Sequence, residues 1–77
     1  MKHLDWRIPL HVREQADPYI RRIRNEVKRQ YALDYLNAFY AGTVQPERPE
    51  NLSFMAAQGV RMNLCGMIPD LARNPNY

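Results

Sequence analysis

Hydrophobic and polar residues alternate near the start of the chain. In the segment HLDWRIPLHV (residues 3–12) every second residue is apolar: Leu4, Trp6, Ile8, Leu10 and Val12. A period of two is typical of a half-buried β-strand. Pro9 lies on the polar side and lacks a backbone donor, which suits an edge strand or an extended arm. The pattern therefore predicts an extended or β arm over residues 3–12.

Three arrangements would satisfy the backbone hydrogen bonds of this arm, because no other part of the chain has a clear strand pattern. The arm can pack over the helices, pair with its own copy in a twofold homodimer, or add to the sheet edge of a partner protein. Leu4, Ile8 and Val12 also fit a helical spacing. Pro9 argues against an unbroken helix there.

The middle of the chain has the period of an α-helix. Asp17 can cap a helix, Pro18 suits the first helical position, and Gly42 suits the position after the last turn. No proline or glycine lies between them, so the sequence predicts one long helix over residues 18–41. One face carries the apolar residues Ile20, Ile23, Val27, Tyr31, Tyr35 and Ala38. Because the second half is apolar on the opposite side too, we expect it to be buried on several sides.

A second helix is predicted over residues 50–65, capped by Asn51 or Ser53 and ended by Gly66. Its predicted apolar face comprises Leu52, Met55, Ala56, Gly59, Val60 and Met62. The small side chains in its middle predict close packing on the first helix, so Gly59→Leu is expected to cost about 1–3 kcal/mol by overpacking. A short turn is expected near Pro69, and residues 72–77 are expected to be a flexible tail.

These elements predict a mainly α fold, a two-helix hairpin with an N-terminal arm, in a single domain over residues 1–77. A chain of 77 residues buries about 60–65% of its unfolded surface, and its one cysteine cannot form an internal disulfide. Additional stability is therefore expected from a homodimer or a bound partner. No apolar run reaches the ~20 residues of a membrane helix, and residues 1–15 contain charges throughout. The sequence thus favours a cytoplasmic protein without membrane contact.

The sequence offers little for catalysis. A cysteine nucleophile needs a base, and Cys65 lies late in the predicted second helix beside Arg61 by helical spacing, which favours a structural thiol. His3, Asp5 and His11 lack the compact spacing of metal ligands, and the three glycines stand singly rather than in a phosphate loop. We therefore expect no enzymatic activity, no metal and no cofactor.

Basic residues cluster in the first half of the long predicted helix, where a solvated helix face is the simplest interpretation. Arginine and tyrosine are also enriched in binding hot spots. The expected function is a non-enzymatic protein-binding module, and in its narrower form a phage-type inhibitor that blocks a larger host defence or transcription complex. The candidate contact residues are Trp6, Arg21, Arg22, Lys28, Arg29 and Tyr40.

An alternative comes from the segment DWRIPLHVREQADPYI (residues 5–20), which resembles the start of ribbon-helix-helix DNA-binding proteins. In that family an alternating strand leads into a helix, and two strands of a dimer enter the major groove. The resemblance implies a DNA-binding dimer, a transcriptional regulator, in which His3, Asp5 and Arg7 would contact the bases.

Overall fold

The chain folds into three substantial helices and one short helix in the computed structural model, which describes residues 4–72. The helices are α1 (Leu10–Arg22), α2 (Glu26–Ala41), α3 (Phe54–Met67) and α4 (Pro69–Ala72). The prediction of a mainly α fold is therefore confirmed. Residues 4–72 contain no strand. Residues 73–77 of the predicted tail and His3 lie outside the described part of the chain.

The predicted arm over residues 3–12 is wrong within the described residues 4–12. A turn precedes α1, in which the N–H of Ile8 donates to the carbonyl of Asp5 at 3.1 Å. Ile8 and Val12 are buried, whereas Trp6 and Leu10 are exposed. The buried residues are thus four apart, and any sequence with a period of two also contains this helical spacing. Pro9 stands just before the first helical residue, where its missing N–H breaks no helical hydrogen bond.

The predicted helix over residues 18–41 is two helices. Pro18 lies inside α1 rather than at its start, and the chain leaves helical geometry between Ile23 and Asn25. The side chain of Asn25 accepts from the N–H of Lys28 at 3.1 Å and caps α2. The sequence between Pro18 and Gly42 contains no proline or glycine, so the capping residue Asn25 is the main local signal of the break. The predicted end at Gly42 is confirmed by its left-handed φ of 72°.

α3 begins one residue after its cap. The hydroxyl of Ser53 accepts from the N–H of Ala56 at 3.1 Å, which confirms one of the two predicted caps. The helix starts later than the predicted residue 50 and continues through Gly66 to Met67. Pro69 then begins the short helix α4, as the expected turn near that proline indicated.

The core forms where α3 packs against α1, α2 and α4. A two-helix hairpin would leave one side of α2 uncovered, and α1 supplies the missing helix. Tyr35 and Leu36 of α2 are accordingly buried. The main core residues are Ile8, Val12, Ala16, Ile20, Ile23, Tyr31, Ala32, Tyr35, Leu36, Leu52, Ala57, Val60, Leu64, Ile68 and Leu71.

The predicted apolar face of the second helix is partly wrong. Val60 and Leu52 are buried, but Met55 and Met62 are 82% and 67% exposed. A Cβ atom added at Gly59 would meet no atom within 4 Å. Close packing at Gly59, and with it the expected overpacking by leucine inside the subunit, is therefore also wrong.

Replacing the cap of α2 tests the division between α1 and α2. We expect Asn25→Ala to lower the free energy of unfolding by about 1 kcal/mol, because an N–H of the first turn loses its acceptor. In a continuous helix the same change would increase stability, since alanine is the better helix former. Chemical denaturation measures the sign. Asn51→Ala, in the exposed loop before α3, is the matched control and should change stability by less than about 0.5 kcal/mol.

Candidate protein-binding surfaces

An open cleft of about 810 Å³ lies between α1 and α2; we call it the α1–α2 cleft. Ile20 is buried, and Leu4 and Leu33 are half-buried, so apolar side chains form its deeper part. Glu14, Arg21 and Glu26 are exposed and form its edge. The lining residues are Leu4, Arg13, Glu14, Asp17, Pro18, Ile20, Arg21, Glu26, Arg29, Gln30 and Leu33.

The break between α1 and α2 shapes this cleft. We call residues 23–25, which lack helical geometry, the elbow. The guanidinium of Arg29 donates through Nη1 to the carbonyl of Ile23 at 3.0 Å and so binds the first turn of α2 to the end of α1. Together with the Asn25 cap, this bond fixes how α2 leaves the elbow.

The charged groups of the cleft are held by specific partners. Nε of Arg21 lies 2.9 Å from Oδ2 of Asp17, one turn earlier on α1. Nε of Arg13 donates to the carbonyl of Ile8 at 3.0 Å. Three arginines and three carboxylates line the cleft, which therefore presents both signs of charge to a ligand.

Pro18 adds a polar backbone feature to the cleft. Proline has no N–H, so the usual helical hydrogen bond from residue 18 to the carbonyl of Glu14 cannot form. Both residues line the cleft. The carbonyl of Glu14 consequently lacks its helical donor.

The structure separates the predicted protein-contact residues. Arg21 and Arg29 line the cleft, whereas Arg22 and Lys28 lie beside the elbow without lining it. Arg21 and Arg22 also occupy the last turn of α1, where cations stabilise the helix dipole. Trp6 is 79% exposed before α1.

Asp5 and Arg7, two of the residues proposed to contact DNA, do not stand on a strand. Oδ1 of Asp5 accepts from the N–H of Arg7 at 2.9 Å, which closes a local turn. The N–H of Asp5 donates to Oδ1 of Asn37 at 2.7 Å and so joins this turn to α2. The guanidinium carbon of Arg7 lies 5.8 Å from the ring centroid of Trp6. His3 lies outside the described residues.

Tyr40 is half-buried against the core rather than displayed at the surface. Its ring meets that of Phe39 edge to face, with centroids 4.9 Å apart. Burial raises the pKa of the Tyr40 phenol above its ordinary value of 10.0, and the negative charge of Asp70 raises it further. The hydroxyl is buried without a hydrogen-bond partner.

A second surface was missed by the sequence analysis: the outer face of α3. Phe54, Met55 and Met62 are exposed there by 62%, 82% and 67%. Arg61 is the one charged residue within the helix. Periodicity could not distinguish this face from the core face, because α3 is apolar on both sides.

Other chemistry is sparse in the described chain. Cys65 is a half-buried thiol on α3. Between residues 4 and 72, no three histidine, cysteine or carboxylate side chains come together as metal ligands would. Within the same residues, none of the helices has the length and apolar character needed to cross a bilayer.

Comparisons with known proteins give no relative. The chain matches no protein-family model, and neither the curated proteins nor the solved structures searched gave a match. The two surfaces are therefore interpreted from their own geometry and charge.

The Tyr40 hydroxyl gives a test by mutation. We expect Tyr40→Phe to increase the free energy of unfolding by about 1 kcal/mol, because it removes a buried polar group that has no partner. Tyr19→Phe is the matched control; it removes a hydroxyl that accepts from Nδ2 of Asn63 at 3.4 Å and should give no such gain. Denaturation at neutral pH measures both.

The same variant tests the raised pKa. An unfolded Tyr40 ionises near pH 10.0, before the folded one does. Below that pH both states keep the phenol proton, and ionisation of Tyr40 does not change the free energy of unfolding. Above it the unfolded state loses the proton first, and the free energy of unfolding of the wild type falls. The difference in stability between Tyr40→Phe and the wild type should therefore grow above pH 10.0. A constant difference across this range would contradict the assignment.

Proposed function

We propose that this chain is a non-enzymatic protein-binding module that docks on a partner protein through the α1–α2 cleft. The observation that carries the proposal is the combination of an apolar interior with an edge of both charges in one open cleft of about 810 Å³. Protein interfaces combine an apolar centre with a polar rim in the same way. Arginine, which lines this cleft at three positions, is enriched among residues that dominate binding energy.

The charges of the cleft favour a protein over a nucleic acid. Glu14, Asp17 and Glu26 line the same cleft as the arginines. A polyphosphate backbone would bring negative charge close to these carboxylates, whereas a protein segment can present an acidic and a basic group in matching positions. We therefore expect the partner segment to carry an apolar side chain flanked by charges of both signs.

The ion pair on the edge can exchange partners at little cost. The side chain of Arg21 is 79% exposed and that of Asp17 is 44% exposed, so solvent screens their attraction. A carboxylate from a partner can therefore take the place of Asp17 beside Arg21. The carbonyl of Glu14, which has no helical donor, offers an acceptor for a partner N–H in the same cleft.

A narrower form of the proposal concerns the consequence of docking. A chain of 77 residues that occupies a surface on a larger protein can block that surface, as small phage-encoded inhibitors do. In this form the partner is a host complex, and the protein acts in the host cytoplasm. The size of the chain and its exposed contact surfaces support action by contact.

DNA binding of the ribbon-helix-helix kind is the alternative outcome of the test below. It would require a strand from each of two copies, and residues 4–9 form a turn and irregular backbone instead. The basic side chains Arg22 and Arg24 remain exposed at the elbow, so a weak, salt-dependent attraction to nucleic acid is the remaining form of this idea.

Charge reversal on neighbouring arginines tests the cleft. Arg21 lines it and Arg22 does not, so Arg21→Glu and Arg22→Glu change the net charge equally and differ in position. The tagged full chain is used for affinity capture from its native cells, with mass spectrometry of what it retains. We expect a stoichiometric protein with the wild type and Arg22→Glu, and a loss of about tenfold or more with Arg21→Glu. Circular dichroism checks that both variants remain helical.

Three results would overturn the proposal. One is the absence of any stoichiometric protein with the wild type. The second is an equal loss with both variants, which would mean that net charge rather than the cleft governs retention. The third is a shift of duplex DNA at low salt that weakens steeply as salt is added, without retention of a protein, which would favour the nucleic-acid alternative.

A further inference from the structure

The outer face of α3 carries a regular alternation of methionine and glycine. The four residues follow one another at spacings of four, three and four, which place them in one line along a helix. They are Met55, Gly59, Met62 and Gly66. The buried residues of α3 lie on the opposite face. We call this line the α3 seam.

The subunit does not use the seam for its own packing. Met55 and Met62 are 82% and 67% exposed. A Cβ atom added at Gly59 or at Gly66 would meet no atom within 4 Å. Gly59, in the interior of α3, costs about 1 kcal/mol relative to alanine, and no contact inside the subunit explains this cost.

We infer that a second copy of this chain covers the seam, with the two α3 helices antiparallel about a twofold axis. The spacings of four, three and four read the same in both directions. In this arrangement Met55 lies opposite Gly66 of the second copy, and Gly59 lies opposite Met62 of the second copy. Each methionine then fills the space left by a glycine, as a knob fills a hole between packed helices.

The other ways of pairing two copies are less favourable. A parallel arrangement would put methionine against methionine and leave gaps at the glycines, which loses contacts on both counts. The four seam residues carry no charge. Arg61, the one charged residue of α3, lies beside Met62 and Gln58 at the margin of the seam rather than within it. The seam residues themselves therefore bring no like charges together.

This pairing is independent of the proposed function. No residue of α3 lines the α1–α2 cleft. A homodimer through α3 would leave each cleft to its own subunit, and the dimer could dock on two partner segments at once. The sequence also led us to expect a homodimer, but through a strand; the dimer inferred here forms through a helix.

The strength of the dimer follows from its size. One pair of four-turn helices is at the low end of specific interface areas, so we expect a dissociation constant weaker than about 1 µM. Sedimentation of the full chain over the micromolar to millimolar range should show a mass that rises from monomer to dimer.

Exchanging knob and hole tests the register. Gly59→Leu fills the hole opposite Met62 of the second copy, and should weaken the dimer by about tenfold or more while the subunit stays folded. Adding Met62→Ala to Gly59→Leu moves the hole to the other helix and should restore most of the affinity. Gln15→Leu, which adds an exposed leucine on α1, is the matched control and should leave the dimer unchanged. Denaturation at a dilution where the chain is monomeric checks the fold of each variant.

Each result decides the inference. A wild type that stays monomeric at the highest concentration would overturn it, as would a Gly59→Leu variant that dimerises as well as the wild type. Failure of Met62→Ala to restore the dimer would overturn the antiparallel register. In that register residue 62 lies opposite residue 59 of the second copy, so the smaller alanine must make room for the leucine. Loss of retention by Arg21→Glu has no bearing on these outcomes.

Discussion

The hydrogen bond from the Arg29 guanidinium to the carbonyl of Ile23, 3.0 Å long, fixes the direction of the chain at the elbow. A helix that continued through this point would have no neighbour on one side. With the break, α1 turns back along α2, and both pack on α3. The cap at Asn25 and the bond from Arg29 satisfy backbone groups that a helix break leaves without partners. The α1–α2 cleft exists because these few polar contacts hold two helices at a fixed angle.

The three long helices differ in which of their faces are apolar and which of these faces are buried. Val12 and Ile20 give α1 one buried stripe, and α2 is buried against both of its neighbours. α3 has a buried stripe and, on its other side, exposed methionines. In a chain of 77 residues, a helix with two apolar faces exceeds what the fold can cover. The surplus therefore appears at the surface, where it meets solvent or another molecule.

Local signals in the sequence predicted some of this structure well. Ser53 and Gly42 are helix boundaries because one hydroxyl and one left-handed φ satisfy nearby backbone groups, and both effects act within a few residues. Asn25 is a capping residue of the same kind. Its presence does not by itself predict a break in the helix, because the break is favourable only when a neighbouring helix packs there. Pro9 was predicted in an extended arm and Pro18 at a helix start, whereas Pro9 stands just before α1 and Pro18 lies inside it. A proline near a helix start and one inside a helix differ in tertiary context rather than in sequence.

The sequence could not show which apolar face of α3 is buried, for the same reason. Met62 and Leu64 are both apolar residues of α3, yet one is 67% exposed and the other is completely buried. Which of them is covered depends on where α1, α2 and α4 pack on α3. The basic cluster was recognisable from the sequence, but its division between cleft-lining Arg21 and outlying Arg22 required the fold.

The exposed methionines of α3 also connect this surface to oxidation. A solvent-exposed thioether is readily oxidised to the sulfoxide, which replaces a flexible apolar side chain with a polar one. At Met55 and Met62 this change would place an S=O group on the seam and leave the buried core untouched, because neither sulfur contributes to it. An oxidant would therefore alter the α3 seam before it altered the fold, and methionine sulfoxide reductase would restore the thioethers.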